Sequence, residues 1–271
     1  MALPVAVQVY SVRDSAEKDL RGTLEEIKKM GYDGVEFAGL YGHAPEEVAE
    51  MCAKIGLTPI SAHVPYVDLV ADPKGVLSQY KTIGCKYVAV PYLTEEDRPG
   101  TPKFPETIKN IDMIGSVAKE LGIQLLYHNH DFEFLKIDGK YALDILYDSI
   151  APENLMTELD VCWVRVGGEN PPEYIGKYAG RSPVLHLKDY VGDKSEGMYG
   201  LIGLEDEAPK RPSNFAFRSV GAGVQDFPSI LKAGEAAGVE WVVVEQDEPT
   251  EGISRMDCIR MSREYLKTLG Y

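Results

Sequence analysis

The chain has 271 residues, with 28 Lys and Arg against 43 Asp and Glu, which gives a formal net charge of −15. This acidity argues against binding to nucleic acid phosphates or to an anionic membrane surface, because both modes need a basic face. Its 44% hydrophobic and 26% charged residues are typical of globular proteins, and no apolar run reaches the ~18 residues of a membrane-spanning helix.

The four cysteines, Cys52, Cys85, Cys162 and Cys258, are scattered and form no C-x-x-C pair. They therefore predict neither a zinc ribbon nor a disulfide framework. Residues 1–10 lack a basic segment followed by an apolar one, so they predict no signal peptide. We expect a reduced, cytoplasmic protein.

Short apolar runs typical of strands alternate with longer amphipathic segments typical of helices. Eight strands are predicted at residues 5–10, 34–37, 58–63, 87–90, 123–127, 155–160, 184–187 and 241–245. Eight helices are predicted at residues 20–30, 45–55, 73–83, 105–121, 142–150, 172–178, 227–237 and 253–269.

Regular alternation predicts parallel strands joined by right-handed crossovers. Eight such units predict an α/β protein with a single domain over residues 1–271, the (β/α)8 TIM barrel. A doubly wound open sheet is the alternative fold, but no G-x-G-x-x-G follows the first strand.

Residues 190–225, after the seventh strand, are predicted to form a long irregular loop on the face where barrel active sites lie. Within it, Gly221-Ala222-Gly223 precedes a predicted helix. Such a turn is a candidate phosphate-binding site, although glycines also serve simply to turn the chain.

Polar residues collect at the carboxyl ends of the predicted strands, which point into one site in a barrel. Asp160, His186 and Glu245 end three successive strands, and mixed nitrogen and oxygen ligands suit a divalent metal ion. A fourth ligand is expected from the fifth strand, with His128 as first choice and Glu133 as the alternative. We predict one such ion, Mn²⁺ first, with Zn²⁺, Co²⁺ or Fe²⁺ as alternatives.

One further role, proton transfer, is predicted near this metal, with three candidate residues. Glu245, His130 or Lys188 is expected to take up and return a proton during catalysis. For Lys188, the alternative is a salt bridge at the rim of the site.

Four residues are predicted to contact the substrate. Tyr10 and Trp163 are expected to stack on the apolar face of a sugar, with packing in the core as the alternative. Glu36, at the end of the second strand, is expected to hydrogen-bond the substrate or a residue that holds the metal, with a contact at a helix terminus as the alternative. His63, at the end of the third strand, is expected to contact the substrate.

Several motifs, in this order, resemble the xylose isomerase-like TIM barrels, the sugar phosphate isomerase/epimerase superfamily. They include residues 7–11 (VQVYS), 61–66 (SAHVPY), 158–160 (ELD), 184–189 (VLHLKD) and 244–247 (VEQD). The resemblance covers essentially the whole chain and implies a TIM barrel that acts on a small carbohydrate.

The resemblance also implies a ligand set of glutamate, aspartate, histidine and glutamate on the last four strands. Asp160, His186 and Glu245 match it, whereas His128 stands in place of the first glutamate. In ketose 3-epimerases of this family, the two glutamates flank the substrate as acid and base. Residues 127–130 (YHNH) are instead similar to a branch containing inosose dehydratases and 3-keto-glycoside lyases. Apurinic-site endonucleases of the superfamily have a histidine where Trp163 stands, and this difference argues against a nuclease.

The resemblance thus implies a metal-dependent sugar isomerase or epimerase that removes a proton next to the carbonyl of a keto-sugar, through an enediolate. One alternative is a metal-dependent lyase or dehydratase acting on an inosose or a 3-keto-glycoside. An alternative of another class is a barrel that binds a sugar without catalysis. No nucleic acid or membrane partner is expected, and a homo-oligomer is an open alternative because dimers and tetramers are common in such families.

Overall fold

The structure, a computed structural model, describes residues 2–194 and 214–271. Eight parallel strands close into a barrel in which each strand pairs with its neighbours in the chain and the last pairs with the first. They are β1 (Val5–Gln8), β2 (Gly34–Ala38), β3 (Thr58–His63), β4 (Tyr87–Val90), β5 (Gln124–His128), β6 (Met156–Asp160), β7 (Val184–Leu187) and β8 (Trp241–Val244). The predicted TIM barrel is confirmed.

In the described part of the chain, eight helices surround the strands. They are α1 (Leu20–Met30), α2 (Pro45–Ile55), α3 (Pro73–Ile83), α4 (Phe104–Leu121), α5 (Ala142–Ser149), α6 (Pro171–Lys177), α7 (Phe227–Ala237) and α8 (Arg255–Thr268). Short helices at Arg13–Ala16, Tyr66–Ala71 and Val161–Val166 lie beyond the carboxyl ends of β1, β3 and β6. Helices α1 to α4 and α7 each end at a glycine with a left-handed backbone, which glycine adopts without a Cβ clash.

The barrel separates two layers of buried side chains. Outward-facing strand residues such as Val5 and Val7 pack with helix residues such as Leu24 and Ile27. Inside the barrel, a second cluster fills the end at which the strands begin: Ala6, Ile60, Tyr87, Ala89, Leu126, Val184 and Val243. All four cysteines, each among the described residues, are buried and free.

Two predicted boundaries need correction. The first strand ends at Gln8 rather than Tyr10, because the Gln8 side chain accepts the Tyr10 N–H at 3.0 Å and the chain turns into a 3₁₀ helix. The predicted irregular loop 190–225 is regular at both of its ends. Short antiparallel strands at Asp189–Val191 and Ala216–Arg218 pair there, while residues 195–213 lie outside the described residues.

A second small hairpin pairs Lys136–Ile137 with Lys140–Tyr141 before α5. Nowhere in the part of the chain that the structure describes is a helix long and apolar enough to cross a bilayer.

Candidate active site

The interior of the barrel changes from apolar to polar along the strands. Side chains two residues apart on a strand share a face, so the interior positions run from Ala6 to Gln8, from Val184 to His186 and from Val243 to Glu245. Polar groups therefore accumulate inside the end of the barrel at which the strands finish. The predicted site at the carboxyl ends of the strands is therefore built from these inward-facing residues.

Four side chains of the type that bind metals meet at this end. His128, Asp160, His186 and Glu245, from β5, β6, β7 and the residue after β8, are buried, and their ligand atoms all lie within 4.8 Å of one another. Nδ1 of His186 lies 3.0 Å from Oε2 of Glu245, and Nε2 of His128 lies 3.4 Å from Oδ2 of Asp160. We call these residues the ligand quartet.

The ligand quartet fits a divalent metal ion. Nε2 of His128 and Oδ2 of Asp160 are buried and make no close hydrogen bond with residues 2–194 or 214–271, although Nζ of Lys188 lies 3.2 Å from that oxygen and Oε2 of Glu245 lies 3.6 Å from that nitrogen. The second oxygen of Asp160 instead accepts the N–H groups of Cys162 and Trp163 at 2.8 and 3.0 Å, which fixes the carboxylate. Two imidazoles and two carboxylates are ligands that Zn²⁺, Mn²⁺ and Co²⁺ accept.

Glu133, the alternative fourth ligand, is directed away from the ligand quartet. Its two carboxylate oxygens accept the hydroxyl of Tyr127 at 2.6 Å and the N–H of His130 at 2.8 Å. Burial raises the pKa of Glu133 to about 7. Of the two fifth-strand candidates, the structure therefore brings His128 to the other three residues.

Lys188 is a buried cation surrounded by carboxylates. Its Nζ lies 2.7 Å from Glu245, 2.9 Å from Asp247 and 3.2 Å from Asp160. Burial opposes the charge, but the carboxylates of Asp160, Asp247 and Glu245 outweigh it and hold the pKa of Lys188 well above its usual range. The side chain is 1% exposed, so its salt bridges lie inside the site rather than at the rim.

A second set of buried groups lies against His186. Nε2 of His186 is 2.8 Å from Oε1 of Glu36, which also accepts a hydrogen bond from Gln8 at 2.8 Å. Oε2 of Glu158 lies 2.7 Å from Nε2 of His63. Burial and the neighbouring Glu36 carboxylate raise the pKa of Glu158 well above its usual range. Such partners fix the ring orientation of a metal-binding histidine.

A cavity of about 720 Å³ opens onto this end of the barrel. His63, His128, His130, Lys188 and Glu245 line it. Nδ1 of His130 is buried and has no hydrogen-bond partner among the described residues. Burial, followed by the nearby charges of His128 and Lys188, lowers the pKa of His130 well below its usual range. The cavity thus offers an uncharged imidazole beside the ligand quartet.

The four predicted substrate contacts separate into two pairs. Tyr10 and His63 line the cavity. Glu36 and Trp163 are 0% exposed and do not belong to its described lining. The Trp163 ring instead packs against the Phe217 ring, with centroids 6.1 Å apart, so it supports the wall of the site from behind.

The candidate phosphate turn already holds an anion from the protein itself. Oδ2 of Asp189 accepts the N–H groups of Gly221 at 3.0 Å and Gly223 at 2.8 Å. Oδ1 accepts those of Tyr190 at 2.9 Å and Gln225 at 3.2 Å. A Cβ on Gly223 would lie 2.3 Å from Oδ1 of Asp189, so glycine permits this close approach. The turn is therefore structural, and its interpretation as a phosphate site is corrected.

The predicted roles omitted two residues of the site. Asp247 contacts Lys188, and Glu158 holds His63. Each lies two residues from a predicted ligand, Glu245 or Asp160, and so on the same side of the chain where the strand continues. This two-residue spacing is the sequence signal from which Asp247 and Glu158 could have been assigned to the site.

Comparison with known proteins agrees with this architecture. The profile of the family described as Xylose isomerase-like TIM barrel matches residues 24–269. An inosose dehydratase of Geobacillus kaustophilus is 23% identical over 91% of this chain and 86% of its own. A solved sugar phosphate isomerase/epimerase from Parabacteroides distasonis superposes with a TM-score of 0.77 at 22% identity, covering 98% of both chains. The solved IOLI protein, with a zinc atom, superposes at 0.72 with 16% identity, again covering 98% of each chain.

Proposed function

The chain belongs to the xylose isomerase-like TIM barrel family, and on this premise we propose that it is an enzyme that removes a proton next to the carbonyl of a keto-sugar or keto-cyclitol. The observation that carries the proposal is that His128 and Glu245 of the ligand quartet line one cavity together with His130, whose Nδ1 has no hydrogen-bond partner among the described residues. Proton abstraction needs both a group that stabilises the developing charge and a base. A protein that only binds a sugar needs no base.

His128, Asp160, His186 and Glu245 would hold a divalent metal ion, with Mn²⁺ as the first choice. Such an ion supplies a Lewis acid that stabilises negative charge developing on a carbonyl oxygen. The zinc atom of the IOLI protein, which shares this fold, supports the choice of a metal.

The chain's own residues would handle the proton. His130 and Glu245 both line the cavity, and Nδ1 of His130 has no hydrogen-bond partner among the described residues, so we propose that either side chain accepts the proton from the carbon next to the carbonyl. Lys188 would keep a positive charge beside the reacting oxygen. Glu36 would hold the ring of His186 in position through Nε2.

The proton's removal leaves two candidate outcomes. We favour elimination, in which a hydroxyl on the next carbon leaves as water, because 91% of this chain aligns with a protein named inosose dehydratase. His128 also stands in place of one of the two glutamates that the family resemblance assigns as acid and base in ketose 3-epimerases. Return of the proton, which gives an isomer or epimer, is the second candidate, since Glu245 and His130 both line the cavity.

Proton exchange in D₂O tests the proposal. The metal-loaded protein is incubated with an inosose and with a 3-keto-glycoside, and deuterium next to the carbonyl is followed by NMR. We expect incorporation with at least one of them, and a loss of about 100-fold or more in His130→Gln or Glu245→Gln. His43→Gln is the matched control, because His43 lies outside the cavity lining and pairs with Glu47 near the surface. Metal-loaded wild-type protein that neither exchanges deuterium into these compounds nor converts either of them to a product would contradict the proposal and favour a binding role.

A further inference from the structure

The cavity has two chemically different ends. Residues from the ends of β5, β7 and β8 supply one end with titratable groups, among them His130, Lys188 and Asp247. The chain after β3 and the helix α3 supply the other end with mostly apolar and aromatic side chains, together with the carboxylates of Asp68 and Asp72. That second end, which we call the apolar arm, is lined by Val64, Pro65, Ala71, Val76 and Tyr80.

The whole cavity is larger than a keto-sugar needs. Its volume of about 720 Å³ lies in the upper part of the ~300–1,000 Å³ range of sites for drug-sized ligands. A sugar ring with its carbonyl at the ligand quartet would occupy the polar end. The apolar arm is continuous with that end, so a group attached to the ring can extend into it.

The charges around the cavity disfavour a phosphate. Of the described residues that line it, Lys188 is the one lysine or arginine, and three carboxylates already surround its Nζ. Asp68 and Asp72 line the side of the apolar arm. The glycine turn that could have bound an anion is filled by Asp189. A phosphorylated sugar would therefore meet negative charge without a matching partner.

From these observations we infer that the substrate is an unphosphorylated keto-sugar joined to an apolar group, such as an aryl glycoside, and that the apolar arm binds this group. The inference rests on the proposed function for the reaction at the polar end. It adds the chemical class of the substituent and the residues that select it. Burial of an aryl ring against Val76 and Tyr80 supplies the selectivity.

Three ligands and two variants test the inference. Turnover or deuterium exchange is compared for phenyl 3-keto-glucoside, 3-ketoglucose and 3-ketoglucose 6-phosphate. We expect kcat/KM to be at least ~10-fold higher for the phenyl compound than for the free sugar, the range that apolar pockets provide, and lowest for the phosphate. Val76→Trp, which fills the apolar arm, removes the preference. Val67→Trp retains it, because Val67 is 54% exposed and lines a separate cavity.

Binding separates this inference from the proposed chemistry. Phenyl glucoside, which has no keto group, is titrated against methyl glucoside by calorimetry in wild-type protein and both variants. Tighter binding of the phenyl compound, lost in Val76→Trp alone, supports the apolar arm even where no proton exchange occurs. Equal binding of the two glucosides, or a preference unchanged in a folded Val76→Trp protein, overturns the inference whether or not exchange is seen.

Discussion

The side-chain nitrogen of Lys188 lies 2.7 Å from Oε2 of Glu245, and both side chains are buried. The same carboxylate oxygen lies 3.0 Å from Nδ1 of His186. One oxygen thus connects the buried cation with the ligand quartet. The charge of Lys188 is part of the electrostatic balance that lets Asp160, Glu245 and Asp247 remain together inside the barrel.

Replacing Lys188 with methionine should destabilise the fold strongly. Removing one partner of a buried ion pair typically costs about 3–5 kcal/mol, because the remaining charges are left unpaired. Urea unfolding at pH 7 measures the change. Lys86→Met is the matched control, since Lys86 pairs with Glu240 at the surface with 59% of its side chain exposed, and such pairs contribute about 1 kcal/mol or less. Equal losses in the two variants would show that the buried cation does not balance the site.

The carboxylate of Asp189 should act as the resident anion of the glycine turn. In Asp189→Ala, the N–H groups of Gly221, Gly223 and Gln225 lose their acceptor, so the melting temperature should fall. Added sulfate should then raise the melting temperature of the variant more than that of the wild-type protein, because the N–H groups can bind the new anion. An identical response to sulfate in both proteins would contradict this role.

The free energy of unfolding should fall as the pH rises from 4.5 to about 7, the interval over which burial shifts the pKa of Glu133. Its pKa is raised by burial from 4.5 to about 7 in the fold. The folded state therefore keeps a proton that the unfolded chain releases, and this contribution is complete below pH 4.5 and lost by about pH 7. It amounts to about 3 kcal/mol over that interval.

Glu133→Gln removes this titration. Urea midpoints measured between pH 5 and 7.5 should show a shallower decline in the variant than in the wild-type protein. Glu153→Gln, at an exposed position, is the control and should leave the slope unchanged. A variant with the wild-type slope would place the pH dependence in other groups.

The regular parts of the barrel could be predicted from the sequence because their signals are local. Five helices end at the glycines that adopt left-handed conformations, and the periodicity of 20–30 or 73–83 is complete within each segment. The carboxyl ends of the predicted parallel strands place Asp160, His186 and Glu245 at one end of the barrel.

The positions of Trp163 and Asp189 could not be predicted in this way. Trp163 is buried by Phe215 and Phe217, which lie more than fifty residues further along the chain. Phe217 belongs to the strand Ala216–Arg218, which pairs with Asp189–Val191. Asp189 fills a turn 32 residues away. Both arrangements depend on contacts between distant segments, for which the local pattern holds no signal. The orientation of Glu133 toward Tyr127 likewise depends on how the chain turns after β5.

The metal content of Asp160→Asn tests the central claim most directly. Asparagine keeps an oxygen that can accept the N–H groups of Cys162 and Trp163, but it loses the anionic Oδ2 that faces His128. Asp148→Asn is the matched control, because Asp148 is 64% exposed and pairs with Lys140 at the surface. After incubation with Mn²⁺, Zn²⁺ or Co²⁺ and desalting, elemental analysis should find about one ion per chain in the wild-type protein and the control, and far less in folded Asp160→Asn. Equal metal in all three proteins, or none in the wild type with any of these ions, would contradict the assignment of the ligand quartet.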